Sequence, residues 1–69
     1  MDVRRKLGFK VQALRATRGW SQDDFAHRAG LHRTYVSGVE RGVRNPTVTV
    51  LEKLAAALQV ELTELLRFD

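Results

Sequence analysis

The chain has 69 residues, no cysteine and a formal net charge of +4, from 12 Lys/Arg and 8 Asp/Glu. This length suits one domain, and the lack of cysteine excludes a disulfide framework and a cysteine metal site. No stretch approaches the roughly 20 apolar residues that span a bilayer, and the charged N-terminus is unlike a signal peptide, so we expect a soluble, cytoplasmic domain with no membrane partner.

The positive charge lies mostly in the first two-thirds of the chain. Residues 1–20 hold six Lys/Arg and one acid, residues 21–45 hold four and three, and residues 46–69 hold two and four. A small domain with a basic face and a mildly acidic tail is typical of a protein that binds a polyanion such as nucleic acid. An ordinary basic surface would give the same totals.

The first predicted helix follows from a single apolar stripe. Four apolar residues recur at spacings of four and three, which places them on one helical face: Val3, Leu7, Val11 and Leu14. We expect this helix to cover about 3–18. Gly19 follows it in the C-terminal position that glycine favours.

Four further helices are predicted, which makes the fold class all-α. Ser21 can cap the second helix, which ends at Gly30. The third covers about 32–41. Thr47 can cap the fourth, and a short fifth helix covers about 61–67.

Residues 22–41 meet the demands of a helix-turn-helix. Ala26 is the small residue needed where the two helices cross, and Gly30 tolerates the positive φ of the turn. Apolar residues supply the inner faces: Phe25, Ala29, Leu31, Val36 and Val39. An ordinary αα-hairpin would not require all of these features together.

The stretch "SQDDFAHRAGLHRTYVSGVERGVRNPTVTVLEKLAAALQV" resembles the helix-turn-helix domain of phage repressor and Cro-type regulators. Within it, "RTYVSGVERGVRNP" is most similar to the controller proteins of restriction–modification systems. The resemblance implies a lambda-repressor-like fold of five helices with the helix-turn-helix in the second and third. It also implies a homodimer on a palindromic operator in double-stranded DNA, which regulates its own gene and the linked endonuclease gene. Such a regulator would repress by blocking RNA polymerase and could activate by touching it.

The outward face of the third helix holds the candidate base-reading residues. Arg33 can fork onto the O6 and N7 atoms of a guanine, and Thr34 can offer its methyl group to a thymine. Ser37 lies on the same face. The resemblance to the controllers supports Arg33 and Thr34 as base readers, whereas the alternative for Arg33 is a solvated surface arginine.

Backbone phosphate contacts would fix the register of the protein on DNA. Gln22 stands where the resemblance implies a phosphate clamp at the start of the second helix. The further candidates for contacts to the DNA backbone are Tyr35, Gly38, Arg41, Arg44 and Asn45. Tyr35 could instead belong to the core, and Arg44 could enter the minor groove.

Gly38 is an unusual choice for the middle of a short helix, because glycine there costs roughly 1 kcal/mol relative to alanine. We interpret it as a groove-facing position, where the missing Cβ allows DNA to approach the helix backbone closely.

Two other positions have a structural interpretation. The resemblance pairs Arg15 with Glu40 of "VERG" in an ion pair that ties the recognition helix to the rest of the domain. Trp20 could stack on a base, but it stands at a family core position. His27 and His32 have no third ligand at a suitable spacing, so we expect no metal site, no cofactor and no enzymatic activity.

The C-terminal region, about 46–69, carries more apolar surface than one face of a small bundle buries. We expect an isologous dimer interface there, with Leu62, Leu66 and Phe68 as first choices. The alternative is that all of this surface closes the monomer core. No small-molecule ligand is indicated, and a prophage-type repressor or an antitoxin or adaptor with the same fold is the alternative function.

Overall fold

The computed structural model describes residues 2–68. Met1 lies outside the described residues, as does Asp69, the last residue of the predicted dimerisation region. Within 2–68 the chain forms five helices and no strand. They are α1 (Val3–Thr17), α2 (Gln22–Ala29), α3 (Arg33–Glu40), α4 (Val48–Leu58) and α5 (Leu62–Leu65). The predicted all-α class and five-helix architecture are confirmed.

Side-chain caps fix where α2 and α4 begin, as their sequences predict. The Ser21 hydroxyl accepts a hydrogen bond from the backbone N–H of Asp24 at 3.0 Å, and the Asp24 carboxylate accepts one from the Ser21 N–H at 3.3 Å. The Thr47 hydroxyl accepts from the N–H of Val50 at 3.2 Å. Each cap satisfies a first-turn N–H that has no partner within its helix.

A single core joins the five helices. Every helix contributes at least one side chain whose exposed fraction is 1% or less: Val11, Phe25, Val36, Val39, Leu54, Leu58 and Leu65. Burying one such side chain stabilises the fold by about 1.5–3 kcal/mol. Because α3 contributes two of these residues, its inner face is committed to the core and only its outer face is available for contacts with a partner.

The structure corrects two details of the predicted helices. Val3 is 61% exposed, because it lies in the first turn of α1 and the core begins one turn later, at Leu7. The last helix ends at Leu65 and not at about residue 67. There the N–H of Arg67 donates to the carbonyl of Glu64, three residues back, so the α-helical pattern has already ended.

Gly8 lies where α1 crosses the C-terminal end of α3. A Cβ at Gly8 would stand 2.5 Å from the carbonyl oxygen of Glu40 and 2.6 Å from that of Val39. Both obstacles are backbone atoms, which cannot rotate away as a side chain can. The missing side chain therefore sets how closely α3 lies against α1.

Gly8→Ala tests this close crossing. We expect it to lower the free energy of unfolding by about 1–3 kcal/mol, since overpacking against backbone outweighs the better helix propensity of alanine. Urea denaturation followed by circular dichroism measures the change. Gln12→Ala, at an exposed position of the same helix, is the control and should stay within about 0.5 kcal/mol of the wild type. Equal stabilities for the two variants would contradict the close crossing.

Candidate nucleic-acid interface

The turn between α2 and α3 presents α3 with one face inward and one face outward. Gly30 ends α2 in the left-handed region with φ 68°, and the N–H of Leu31 donates to the carbonyl of Ala26 at 2.9 Å. Ala26 is only 3% exposed, and its small side chain lets the two helices approach closely. Arg33 and Thr34 are exposed on the opposite side of α3.

Arg33 stands at the first position of α3 with its side chain 62% exposed. Its nearest carboxylate is Asp23, whose Oδ1 lies 3.9 Å from Nε, and the Asp23 side chain is 78% exposed. An exposed pair at this separation contributes about 0–1 kcal/mol, so little opposes turning the guanidinium to another acceptor. Thr34 is exposed beside it, and Ser37 is half-buried one turn later.

The structure contains the ion pair between Arg15 and Glu40, and it is part of a larger network. Arg15 donates from Nε to Oε2 of Glu40 at 2.7 Å and from Nη2 to Oε1 at 3.0 Å. Its Nη1 donates to the carbonyl of Trp20 at 2.8 Å. These hydrogen bonds with Glu40 raise the pKa of the Arg15 guanidinium above its ordinary value. The Glu40 side chain is only 4% exposed, and these donors offset the cost of burying its carboxylate.

Gln22 belongs to the same network. Its Nε2 donates to Oε1 of Glu40 at 3.0 Å, which orients the side chain at the start of α2. An amide NH₂ carries two hydrogens, so one is left for another acceptor. The network thus joins α1, α2 and α3 and at the same time positions the candidate phosphate clamp.

Gly38 does not face open space, and the prediction of a groove-facing glycine is wrong on this point. Gly38 is buried, and the side chain of Arg44 covers it: a Cβ at Gly38 would lie 2.6 Å from Cγ of Arg44. The guanidinium carbon of Arg44 lies 5.4 Å from the centroid of the Tyr35 ring. Tyr35 is half-buried and packs on the core, so its ring has a structural role whatever its hydroxyl contacts.

The remaining candidates for contacts to the DNA backbone lie just beyond α3. Arg41 is its C-cap residue and Asn45 belongs to the loop before α4; both are exposed. Trp20 stacks on Phe25 with ring centroids 6.2 Å apart, and the guanidinium of Arg28 lies 4.3 Å from the centre of its ring. The indole is thus engaged inside the domain, in keeping with the core interpretation.

Sequence reasoning missed the functional geometry around the two mid-helix glycines. Gly8 shapes the crossing with α3, and Gly38 makes room for Arg44. The signal was present in both cases as a glycine inside an otherwise regular helix, but the sequence does not say which group fills the space.

Among residues 2–68, no group of three or more His, Cys, Asp or Glu side chains could hold a metal ion. None of the described helices is long and apolar enough to cross a membrane.

Comparison with known proteins identifies the family. Residues 11–65 match a family model described as "Helix-turn-helix". The chain belongs to this helix-turn-helix family. Similarity to control proteins of restriction–modification systems also confirms the predicted resemblance to the controller members.

Within the helix-turn-helix family, the chain is 45% identical over 65 residues to a hypothetical transcription factor of Neisseria meningitidis, a match covering 94% of this chain and 61% of that protein. It is 40% identical over 68 residues to control protein C.BamHI of Bacillus amyloliquefaciens, covering 97% and 84%. The crystal structure of the restriction-modification controller protein C.AhdI from Aeromonas hydrophila superposes with a TM-score of 0.88 at 45% identity, covering 90% of this chain and 94% of that one. The chain thus spans about three-fifths of the Neisseria protein.

The three candidate dimer residues of this helix-turn-helix protein differ in exposure. Leu66 is 41% exposed, whereas Leu62 and Phe68 are half-buried and pack against the core. Lys10 of α1 bonds to Glu64 of α5 at 3.2 Å, which holds the C-terminal segment against the domain. Leu66 is therefore the most exposed of the three candidates, while part of the apolar surplus closes the monomer core.

Arg15→Met tests the energetic role of the buried network. We expect it to lower the free energy of unfolding by about 3–5 kcal/mol, because the Glu40 carboxylate stays buried with Gln22 as its remaining side-chain donor. The double variant Arg15→Met/Glu40→Leu should lose less, since no uncompensated charge is left. Urea denaturation measures all variants. Arg67→Ala, which removes an exposed pair with Glu64, is the control at about 0–1 kcal/mol, and an equal cost for Arg15→Met would contradict the assignment.

Proposed function

We propose that this helix-turn-helix protein is a sequence-specific DNA-binding transcriptional regulator of the restriction–modification controller type. The observation that carries the proposal is the outer face of α3, where Arg33 and Thr34 are exposed on a helix whose inner face and C-terminal end are fixed by buried contacts. The similarity to C.BamHI and C.AhdI along nearly the whole chain supports the controller type. Its place of action would be the bacterial cytoplasm, where the DNA is.

Readout would take place in the major groove, which is wide enough for one α-helix. Arg33, at the N-terminal end of α3, would read a guanine through two parallel hydrogen bonds, and Thr34 would contact a thymine methyl or a neighbouring polar group. Ser37 is half-buried and has a short side chain, so it would contact only a base that lies close to the surface of α3. A bidentate arginine–guanine contact is worth about 1–3 kcal/mol of discrimination, so Arg33 would carry the largest share.

Contacts to phosphates would flank this readout on both sides of α3. Gln22, held by Glu40, would donate its second amide hydrogen to a phosphate near the start of α2. Arg41, Arg44 and Asn45 would meet the backbone beyond the other end of α3. These contacts carry no sequence information, but they fix the register in which Arg33 meets its base.

The regulator would act as a homodimer on a palindromic operator. One module reads only a few base pairs, and two modules placed about 34 Å apart read two half-sites on one face of the duplex. Leu66, Leu62 and Phe68 in the region 46–69 would form the isologous interface. The negative balance of this region would keep it away from DNA. Bound to promoter DNA, it would repress where it blocks RNA polymerase and activate where it contacts polymerase.

The test is selection of bound sequences from random duplexes at a stated salt concentration, followed by footprinting on the enriched site. We expect a palindrome with half-sites about one helical turn apart and an affinity that falls steeply with salt. Enrichment of a single non-repeated site would overturn the dimeric arrangement. Binding without any enriched sequence would overturn sequence-specific regulation and favour the protein-binding adaptor.

Arg33→Ala tests the base-reading assignment on the selected operator. We expect the ratio of specific to non-specific affinity to fall by about 5- to 100-fold, with substitution of the paired guanine having no further effect on the variant. Electrophoretic mobility shifts on matched and mutated duplexes measure this ratio. Lys53→Ala removes the same charge from the acidic C-terminal part and should leave the ratio unchanged. An unchanged ratio for Arg33→Ala would make Arg33 a surface residue only.

Leu66→Asp tests the dimer interface. We expect the variant to sediment as a monomer at concentrations where the wild type is a dimer, because a charge cannot be buried unpaired at the centre of an isologous contact. Its operator affinity should fall with dimerisation. Phe9→Asp places the same charge at a 53% exposed position of α1 and should sediment as the wild type does. The reverse pattern would move the interface to α1.

A further inference from the structure

Three contacts hold Arg44 against the outer side of α3. The carbonyl of Gly38 accepts hydrogen bonds from the N–H groups of Val43 at 3.0 Å and Arg44 at 3.3 Å, which ties the loop backbone to the helix. The methylene part of the Arg44 side chain lies over the α-carbon of Gly38. Its guanidinium then extends over the ring of Tyr35, with 5.4 Å between the guanidinium carbon and the ring centroid.

Backbone conformation does not require glycine at position 38. Within the described chain the glycines with positive φ are Gly19, Gly30 and Gly42, whereas Gly38 lies inside α3 in a geometry that any residue adopts. Alanine would therefore suit the helix better by propensity alone. The space left by the missing side chain of Gly38 is filled by Arg44. We therefore attribute the glycine at this position to the packing of Arg44 against it.

The contact with Gly38 lies near the root of the Arg44 side chain. A Cβ at position 38 would stand 2.6 Å from Cγ, 3.2 Å from Nε and 3.5 Å from Cδ of Arg44. Rotating only the tip of the arginine cannot relieve a clash at Cγ. The loop hydrogen bonds to the Gly38 carbonyl also restrict movement of the arginine backbone. Any side chain at position 38 would therefore redirect Arg44 from its first side-chain torsion onward.

We propose that Gly38 and Tyr35 form a seat for Arg44, and that Gly38 is a positioning residue which orients the Arg44 guanidinium for contact with DNA beside α3. The inference rests on the proposed DNA-binding function. Arg44 remains exposed on its seat, so its donors are accessible. A guanidinium presents planar N–H donors to a base edge or a phosphate, and holding it in place before binding saves the entropy of ordering a long side chain. The role of Gly38 in binding is then exerted through Arg44 and not by close approach of DNA to the helix backbone.

A double-mutant cycle on the selected operator separates these two roles. Gly38→Ala, Arg44→Ala and the double variant are compared with the wild type in operator affinity and melting temperature. We expect Gly38→Ala to melt close to the wild-type temperature, because the gain in helix propensity offsets the lost packing of Arg44, and to bind about 5- to 50-fold more weakly, within the range of one arginine contact. The double variant should bind as Arg44→Ala does, because Gly38→Ala has no further effect once the arginine is gone.

The opposite pattern would overturn the proposal. If Gly38→Ala weakens binding by the same factor with and without Arg44, the added methyl group meets DNA directly. If Gly38→Ala binds as the wild type does, no seat is needed. Arg41→Ala is the matched control: it removes a neighbouring arginine, whereas the atoms nearest to a Cβ at position 38 all belong to Arg44, so its effect should multiply with that of Gly38→Ala. If the wild-type protein enriches no DNA site, the proposed function itself is refuted, and this outcome is distinct from a failure of the seat.

Two further measurements identify the acceptor and test the seat without DNA. The salt dependence of log affinity should become shallower by about one unit in Arg44→Ala if the guanidinium meets a phosphate, and the preference at one flanking base pair should be lost if it meets a base. In the free protein, the Nε–H NMR signal of Arg44 should carry a ring-current shift that Tyr35→Phe keeps and Tyr35→Leu abolishes. A signal that does not respond to Tyr35→Leu would overturn the seat, even if Gly38→Ala failed to fold.

Discussion

The buried carboxylate of Glu40 is the point through which three helices are held in one arrangement. Arg15 reaches it from α1, Gln22 reaches it from the start of α2, and Glu40 itself is the last residue of α3. A carboxylate that is only 4% exposed is tolerated because every donor is in place. The orientation of α3 therefore depends in part on Arg15 and Glu40, which are not among the proposed DNA contacts.

This arrangement couples folding to recognition. A domain of this size has only a few kcal/mol of stability to lose, so a defect in the network would weaken the fold as well as the proposed DNA contacts. Gly8 reinforces the same constraint, since the carbonyls of Val39 and Glu40 lie against the space its side chain would occupy. The outer face of α3 is thus a surface of fixed geometry, and a displacement of the helix would move Arg33 away from the base that we propose it reads.

The sequence was sufficient for those features that depend on spacing and on local caps. Ser21, Thr47 and Gly30 each satisfy a local requirement, which is why the helix boundaries and the turn could be predicted. Arg15 and Glu40 are 25 positions apart, so spacing alone does not pair them. Their ion pair could be predicted only from the family resemblance. Val3 was misplaced because a helical stripe says nothing of where the core beneath it ends.

The candidate site likewise has some features that the sequence predicts and others that it does not. Exposure of Arg33 and Thr34 could be predicted by elimination, once the inner face of α3 had been committed to the core. The position of Arg44 could not be predicted, because it depends on how a loop folds back over a helix six residues earlier in the chain. A glycine at position 38 reads identically in sequence whether its space is filled by DNA, by solvent or by another side chain.

The two mid-helix glycines therefore serve different ends. At Gly8 the space accommodates backbone, and the consequence is rigidity; at Gly38 it accommodates a long, flexible side chain, and the consequence is orientation. Glycine at position 38 has no side chain that could contact a base, so other residues would have to make any base contact at this point of the helix. Arg44 lies over the same stretch of helix and carries donors that a residue at position 38 would otherwise supply. On the proposed function, the DNA-contacting surface would be shared between α3 and the loop that follows it, so substitutions in loop residues 43–45 would alter specificity without any change in the helix.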